Sequence, residues 1–331
     1  MSEFILLDSA FHEIGSTFFN VDFEIGKESE SNNDFKINTN ANILKDIDFK
    51  GLYIENTELG GMLEYFESTN VTDSQVVKGT TWRGILSRHV VKPPTGEDYK
   101  TFTGDVKDII SELLQPVSSL FQTDGQQLGI TVTNFQANRY ATVLSTIEKL
   151  LDQVGYRLDL KAIKQSAGSS IKIIVDAIEK VTLDGIYNSD LYLPMKFVIN
   201  NMGYNHIIAA GQGQLSQRDI VELFIGENGE VTENQYFTGL QEKTYFYNYT
   251  SAESNEELIK STRKKLLEIC DKRTLTLLSN DSANEDIQSL EVGDVIRVVF
   301  PDSTEYESEV ANKIYKVANG KIETQIKVKE W

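Results

Sequence analysis

Between Glu58 and Leu114 the hydrophobic period of the chain changes from two to about 3.6, and a pair of prolines marks the changeover. Met62-Leu63-Glu64-Tyr65-Phe66 reads as a strand joined to Leu52-Tyr53-Ile54 near Gly60-Gly61, and Thr80 to Leu86 reads as another. Gly84 lies inside that second run, where a missing side chain marks a bend or a close backbone approach. Pro93-Pro94 has no N–H to give and ends the ladder. Asp105 then stands where a helix N-cap belongs, with Asp108 in the first turn. Val106, Ile109, Ile110, Leu113 and Leu114 repeat as one apolar helical face, and Pro116 lies just past its end. A chain with this passage is neither all helix nor a uniform sandwich. Sheet has to hand over to helix here.

Strand signals surround the passage. Ile5-Leu6-Leu7 is a short apolar run, and Phe19, Val21, Phe23 and Ile25 alternate with polar residues. Glu28 to Asn33 is a polar hairpin tip. Asp46-Ile47-Asp48-Phe49-Lys50-Gly51 resembles the start of a calcium loop but fails at Lys50 and at Thr57, so it reads as a turn. A second helix is predicted from Arg139 to Val154, stopped by Gly155 and followed by strands over Tyr156–Leu160 and Ile171–Val175, with Gln165–Ser170 as a linker. After Tyr192 the chain returns to strands: Phe197-Val198-Ile199, Ile207 to Ala210 and Val221 to Ile225, the last ending in the hairpin signal Asn228-Gly229. Ser254-Asn255-Glu256-Glu257 is a capping box that opens a helix running to about Cys270. Val295 to Phe300 and a hairpin about Asn319-Gly320 close the sequence, the last strand having one wet face. The fold class is α+β, mainly β.

Composition narrows the function classes. At 331 residues the length fits about two domains. No apolar run reaches the roughly 18 residues of a membrane span, so membrane insertion of this chain is not expected, and the N-terminus lacks the pattern of a secretory leader. Cys270 is the sole cysteine, reads as a small buried apolar residue, and leaves no intrachain disulfide. Fifty acidic against 32 basic residues give a net charge of −18, which argues against specific nucleic-acid binding.

The usual chemical signatures are missing. His12, His89 and His206 have no metal-ligand spacing, and His12-Glu13 lacks the second histidine of a zinc-protease motif, so all three read as structural or surface residues. No nucleophile elbow or Walker loop occurs, and Gly211-Gln212-Gly213 lacks the third glycine of a dinucleotide loop and reads as a strand-end bend. Glu305, Glu307 and Glu309 alternate on one strand and read as a solvated face; nothing singles out a carboxylate pair for glycoside hydrolysis. The expectation is therefore no catalytic, cofactor-binding or metal site, no cofactor, and no enzyme.

One resemblance supplies more. Glu58-x-Gly60-Gly61, Thr81-Trp82-Arg83-Gly84-x-Leu86-x-Arg88, Pro93-Pro94-x-Gly96-x-x-Tyr99 and Gly104-Asp105-x-x-Asp108-Ile109-Ile110 resemble the N-terminal hub region of tailed-phage tail-tip proteins, the family of siphophage tail-associated proteins and contractile-tail baseplate hubs. The likeness continues through Gly211-x-Gly213-x-Leu215-x-x-Arg218, the Ser254–Ile269 helix, Leu290-x-Val292-Gly293-Asp294-Val295, and Lys313-Ile314-x-x-Val317-x-Asn319-Gly320. It covers roughly residues 50–330.

The resemblance implies a structural baseplate or tail-tip hub at the virion tail tip, made in the bacterial host cytoplasm. It implies a homotrimeric ring that joins the six-fold tail tube to the three-fold tip and lets DNA pass. Partners would be tail tube or distal tail proteins, the tape-measure protein, and a tip or spike protein. Two barrel-like tube domains are expected, with an inserted small α/β domain and a peripheral helix-bearing domain. The first barrel would span residues 1–104, completed by strands near 192–215; the insert would span 105–191; the second barrel would span 192–331 with its helix at 254–270. The alternatives are a cell-wall-degrading glycoside hydrolase and a carbohydrate-binding tail adhesin.

Overall fold

The computed structural model describes residues 3–39, 50–68, 75–164, 170–187, 195–252, 254–279, 289–299, 305–318 and 321–329. The chain divides into two compact units, Met1–Met195 with Thr276–Lys329, and Lys196–Leu275 with Glu330–Trp331. Strand makes up 47% and helix 18%, so the fold is mainly β. Of the sequence readings, residues 46–49 of the turn resembling a calcium loop, residues 165–169 of the linker and the turn at Asn319-Gly320 lie outside the described residues.

The first unit opens with β1 (Phe4–Leu7), β2 (Glu13–Thr17), β3 (Val21–Gly26), β4 (Asp34–Thr39), β5 (Gly51–Tyr53), β6 (Gly60–Ser68) and β7 (Gln75–Thr81). β3 and β4 pair as a hairpin around the polar tip, and β5 pairs with β6 across Gly51 and Met62, as the alternation requires. The sequence reading extends β7 as a strand to Leu86, and the structure corrects it. Trp82–Leu86 is a single helical turn, α1, because the Thr81 hydroxyl accepts from the Gly84 N–H and caps it. Gly84 is needed there because a Cβ would lie 2.4 Å from the Asn33 carbonyl oxygen.

Next come β8 (Thr101–Asp105), α2 (Val106–Leu113), β9 (Phe121–Gln122), β10 (Thr131–Gln136), α3 (Val143–Val154), β11 (Tyr156–Lys164), β12 (Ile171–Glu179) and β13 (Thr182–Tyr187). Asp105 caps α2 as expected: its carboxylate accepts from the backbone of Lys107, Leu128 and Gly129. α3 starts four residues later than the periodicity suggests, with Thr142 as its cap and Gly155 in the left-handed conformation as its stop. β11 and β12 form a hairpin, and β9 joins β12 in parallel. Leu144, Ile147, Leu150 and Leu151 of α3 are buried in the same core as Trp82, Ile110, Leu160 and Ile173. A Leu150→Ala truncation in such a core costs about 2–5 kcal/mol.

The second unit holds most of β14 (Met195–Asn200), then β15 (His206–Ala210), β16 (Ile220–Ile225), β17 (Val231–Thr232), β18 (Thr244–Asn248) and α4 (Asn255–Ile269); β14 and β19 (Lys272–Ser279) carry the chain out and back. Its sheet runs β17-β16-β15-β18, with β15 and β18 parallel. Ile207, Ala209, Val221 and Leu223 pack against Leu258 and Leu266 of α4. Ser254 caps α4 through the Glu257 N–H.

The first unit resumes with β20 (Val295–Val299), β21 (Glu305–Ala318) and β22 (Lys321–Val328). β21 and β22 form the expected closing hairpin, and β21 also pairs with β3 from Asn312↔Gly26 to Val317↔Val21. The long sheet therefore runs β19-β22-β21-β3-β4-β7-β6-β5-β1-β2, with β20 branching from β21 and pairing in parallel with β13. Phe4, Phe23, Phe35, Leu52 and Val317 form its own core. The sequence reading asked for two barrel-like tube domains, but among the described residues no sheet closes on itself. A barrel needs its last strand paired with its first. β2, the five-residue end of the path, pairs with no strand besides β1 among the described residues.

Candidate functional site

The first unit is held together by charges placed where apolar side chains would ordinarily sit. Arg83 of α1 is 2% exposed. Its guanidinium donates twice to Glu58, with Nη2 at 3.1 Å from Oε2, and once to the Leu158 carbonyl at 3.0 Å. The paired fork satisfies a planar cation that burial would otherwise penalise heavily. Burial pushes the Glu58 carboxyl up from its ordinary value against the pull of Arg83.

Beside this pair lies Lys313 of β21, 1% exposed. Its ammonium donates to the Leu290 carbonyl at 2.6 Å, pairs with Glu291 at 2.9 Å, and lies 5.0 Å over the Tyr315 ring. Burial holds the Tyr315 phenol well above its usual range, with the Glu291 and Glu58 carboxylates adding to the effect. Asp294, 1% exposed, accepts from Arg157 Nε at 2.9 Å, the Val181 N–H at 3.0 Å and the Glu291 N–H at 2.8 Å. Gly293 has φ +99° and a Cβ on it would meet Arg157 Cβ at 2.8 Å, so the Gly293-Asp294 turn fits closely over the arginine stem.

A third group is a closed ring of alternating charge. Lys27 meets Asp152 at 2.9 Å and Glu309 at 2.7 Å; Lys180 meets the same two carboxylates at 2.7 and 2.8 Å. The ring ties the β3–β4 hairpin to α3, to the β12–β13 turn and to β21. Burial raises the Asp152 carboxyl, but Lys180 and Lys27 outweigh it and hold the group below the usual range. Glu148, one helical turn before Asp152, has no such partner at contact distance among the described residues. Its carboxylate accepts the Glu28 N–H at 3.3 Å, and burial pushes it up to about 7 against the attraction of Arg83 and Lys27. A void of about 10 Å³ lies between Arg83, Glu148, Asp152 and Arg157, close to the size that holds one water.

The second unit has its own charged centre. His206 is 5% exposed and stacks on Phe224 with ring centroids 4.4 Å apart. Nδ1 faces Glu242 and Thr244 at 2.8 Å, and Nε2 faces Glu222 at 2.7 Å. The hydrogen bond from His206 holds the Glu242 carboxyl below its usual range.

Several motif residues are thus brought together: Glu58 with Arg83, Glu64 with Arg88, and Gly293-Asp294 with Arg157. The other histidines part company with His206. His12 pairs with Asp8 at 3.3 Å at the surface, and His89 is half-buried. Cys270 is half-buried at the end of α4 rather than enclosed with Leu266. Gly213 does turn a strand end, closed by Arg218 donating to Gly211 and Ala210 carbonyls at 3.0 Å. Glu309 leaves the solvated face on which Glu305 and Glu307 lie, and joins the charge ring. Sequence reasoning passed over Glu148, Asp152 and Lys180, and it quoted Lys313 in a motif without a role; Glu148 and Asp152 share an i,i+4 spacing on α3, the one local signal that could have marked them.

Among the described residues no group of three or more His, Cys, Asp or Glu side chains is placed to hold a metal ion. No described helix is long and apolar enough to cross a membrane.

No protein-family model matches the sequence, and no curated protein matches it. Solved structures do match its fold. The 43 kDa tail protein of prophage MuSo2 from Shewanella oneidensis superposes with a TM-score of 0.51 at 10% identity, covering 99% of this chain and 98% of that one. The chain has the fold of a prophage tail protein. Similarity at lower scores extends to the tail protein from Neisseria meningitidis MC58 (TM-score 0.47, 11% identity, 99% and 96% coverage). It also extends to a chain of the phage P2 baseplate (0.45, 11%, 99% and 98%). The motifs that resembled tail-tip hubs therefore sit inside a tail-protein fold. In that fold the Glu58–Arg83 pair and the Gly293-Asp294 turn are internal joints.

Proposed function

We propose that this chain is a structural hub of a tailed-phage or phage-derived tail, acting at the tail tip and without enzymatic activity. The observation that carries the reading is the MuSo2 tail-protein fold, matched over 99% of the chain. In this reading three copies form a ring that joins the six-fold tube to the three-fold tip. Strands β1–β7 and β20–β22 supply the ring wall, and the α2–β13 block is the insert. Its partners are tube or distal tail proteins, the tape-measure protein and a tip or spike protein. With a net charge of −18 per chain, an acidic lumen would keep passing DNA from adhering.

The test is native mass together with negative-stain imaging of the purified chain, alone and mixed with tail tubes lacking their tip. Three copies around a central opening, or capping of the tubes, is the expected result. A monomer that ignores the tubes and releases muropeptides from cell walls would overturn it.

A further inference from the structure

The stretch from Ser87 to Tyr99 contributes little to the charge network, yet its first residues form the wall of a groove in the first unit. After α1 the chain turns, with His89 accepting from the Val143 N–H at 2.6 Å and Val91 donating to the Ala141 carbonyl at 2.8 Å. This lays Arg88–Lys92 beside the start of α3. The opposite wall is Lys100 with the C-terminal end of α2 and Pro116, and the space between is about 630 Å³. The groove has apolar surface at Val90, which is 43% exposed, and cations at Arg88, Lys92 and Lys100. Glu112 is the single carboxylate that lines it.

Two of the cations are held in place by the chain. Arg88 is gripped by Glu64, and Lys100 pairs with Glu112 at 2.7 Å while lying 4.9 Å over the Phe102 ring. Lys92 is exposed and makes no ion pair among the described residues. It precedes Pro93, which restricts its backbone to extended conformations.

We infer that this groove is a contact between copies of the chain, receiving an acidic face of a second copy with an apolar side chain set against Val90. The inference rests on the ring reading above. Charge complementarity selects the occupant. Fifty acidic and 32 basic residues make two copies mutually repulsive, so a stable contact needs a place where the sign inverts. A groove on one copy meeting a different surface on the next is heterologous, the kind of contact that closes into rings.

The experiment is sedimentation velocity of the full chain over a concentration series, at low and high salt, for wild type, Lys92→Glu, Lys92→Arg and Lys260→Glu. Lys260 is exposed on α4, so its reversal alters net charge by the same amount as reversal of Lys92 without touching the groove. Lys92→Glu is expected to raise the association midpoint at least tenfold, while Lys92→Arg and Lys260→Glu stay within about twofold; added salt should weaken wild type toward Lys92→Glu. Equal association of Lys92→Glu and Lys260→Glu would overturn the groove contact and leave the ring reading standing. A chain that is monomeric at every concentration would overturn it too, and capping of tail tubes would then decide the hub reading separately.

Discussion

Replacing Glu148 with Gln gives a sharp test of the buried network. The amide keeps an acceptor for the Glu28 N–H and removes the charge. In the folded chain the carboxyl titrates at about 7, against an ordinary value of 4.5. Below pH 4.5 the folded and unfolded chains both hold the proton. Between 4.5 and 7 only the folded chain holds it, so this group's contribution to stability is lost as pH rises, and above 7 the loss is complete. At 1.36 kcal/mol per pH unit the gap is worth about 3 kcal/mol, a ceiling because Glu148 is only half-buried by area. Glu148→Gln should therefore match wild type near pH 4.5 and exceed it by up to about 3 kcal/mol at pH 8. The assay is urea unfolding from pH 4.5 to 8, followed by emission of Trp82, fully buried in the first unit, in a Trp331→Phe background. The raised carboxyl of Glu58 bends both profiles alike and cancels in their difference. Parallel profiles across the whole range would refute the reasoning.

Arg83→Met strands the Glu58 carboxylate and should cost about 3–5 kcal/mol in urea unfolding, whereas the double change with Glu58→Leu should recover most of it. Asp105→Ala removes the acceptor of three backbone N–H groups and should cost about 2 kcal/mol near neutral pH. Burial raises the Asp105 carboxyl, but the backbone donors outweigh it and hold it below its usual range, so the loss measured by this variant should shrink as the medium is acidified through the carboxylate range. Ser254→Ala should lower the stability of the second unit by about 1 kcal/mol, read as faster amide exchange across α4. Gly84→Ala, with the Asn33 carbonyl 2.4 Å from the new Cβ, should cost about 1–3 kcal/mol and lower the thermal midpoint.

What the sequence made legible is local. Asp105 and Ser254 are caps because a short polar side chain before an apolar period can reach back to a free N–H. Gly155 and Asn228-Gly229 stop or turn the chain because they tolerate positive φ, seen here at Gly155 and Gly229. Trp82–Leu86 escaped because its apolar and β-branched neighbours suit a strand, while the Thr81 cap on the Gly84 N–H and the close fit of Gly84 against Asn33 belong to a helical turn. The charge network was illegible for a different reason. Glu58 and Arg83 stood in one motif without any sign that they meet, and Lys27, Asp152, Lys180 and Glu309 are brought together only by folding. A surface lysine and an interior one look alike until a carboxylate from elsewhere arrives. His206 is the same case, since both of its flanking glutamates come from other segments of its unit.

The pairing of β3 with β21 carries a consequence for synthesis. Asn312 donates to Glu24 across 288 positions of chain. At about 5–20 residues per second, a ribosome takes roughly 15 to 60 seconds to deliver the partner of a strand it has already released. Throughout that interval the outer edge of β3 lies open, and Val292 and Val317 are still missing from the core of Phe23 and Ile25. An edge of that kind invites pairing with other nascent chains. It is the last hairpin, β21 with β22, that closes this edge.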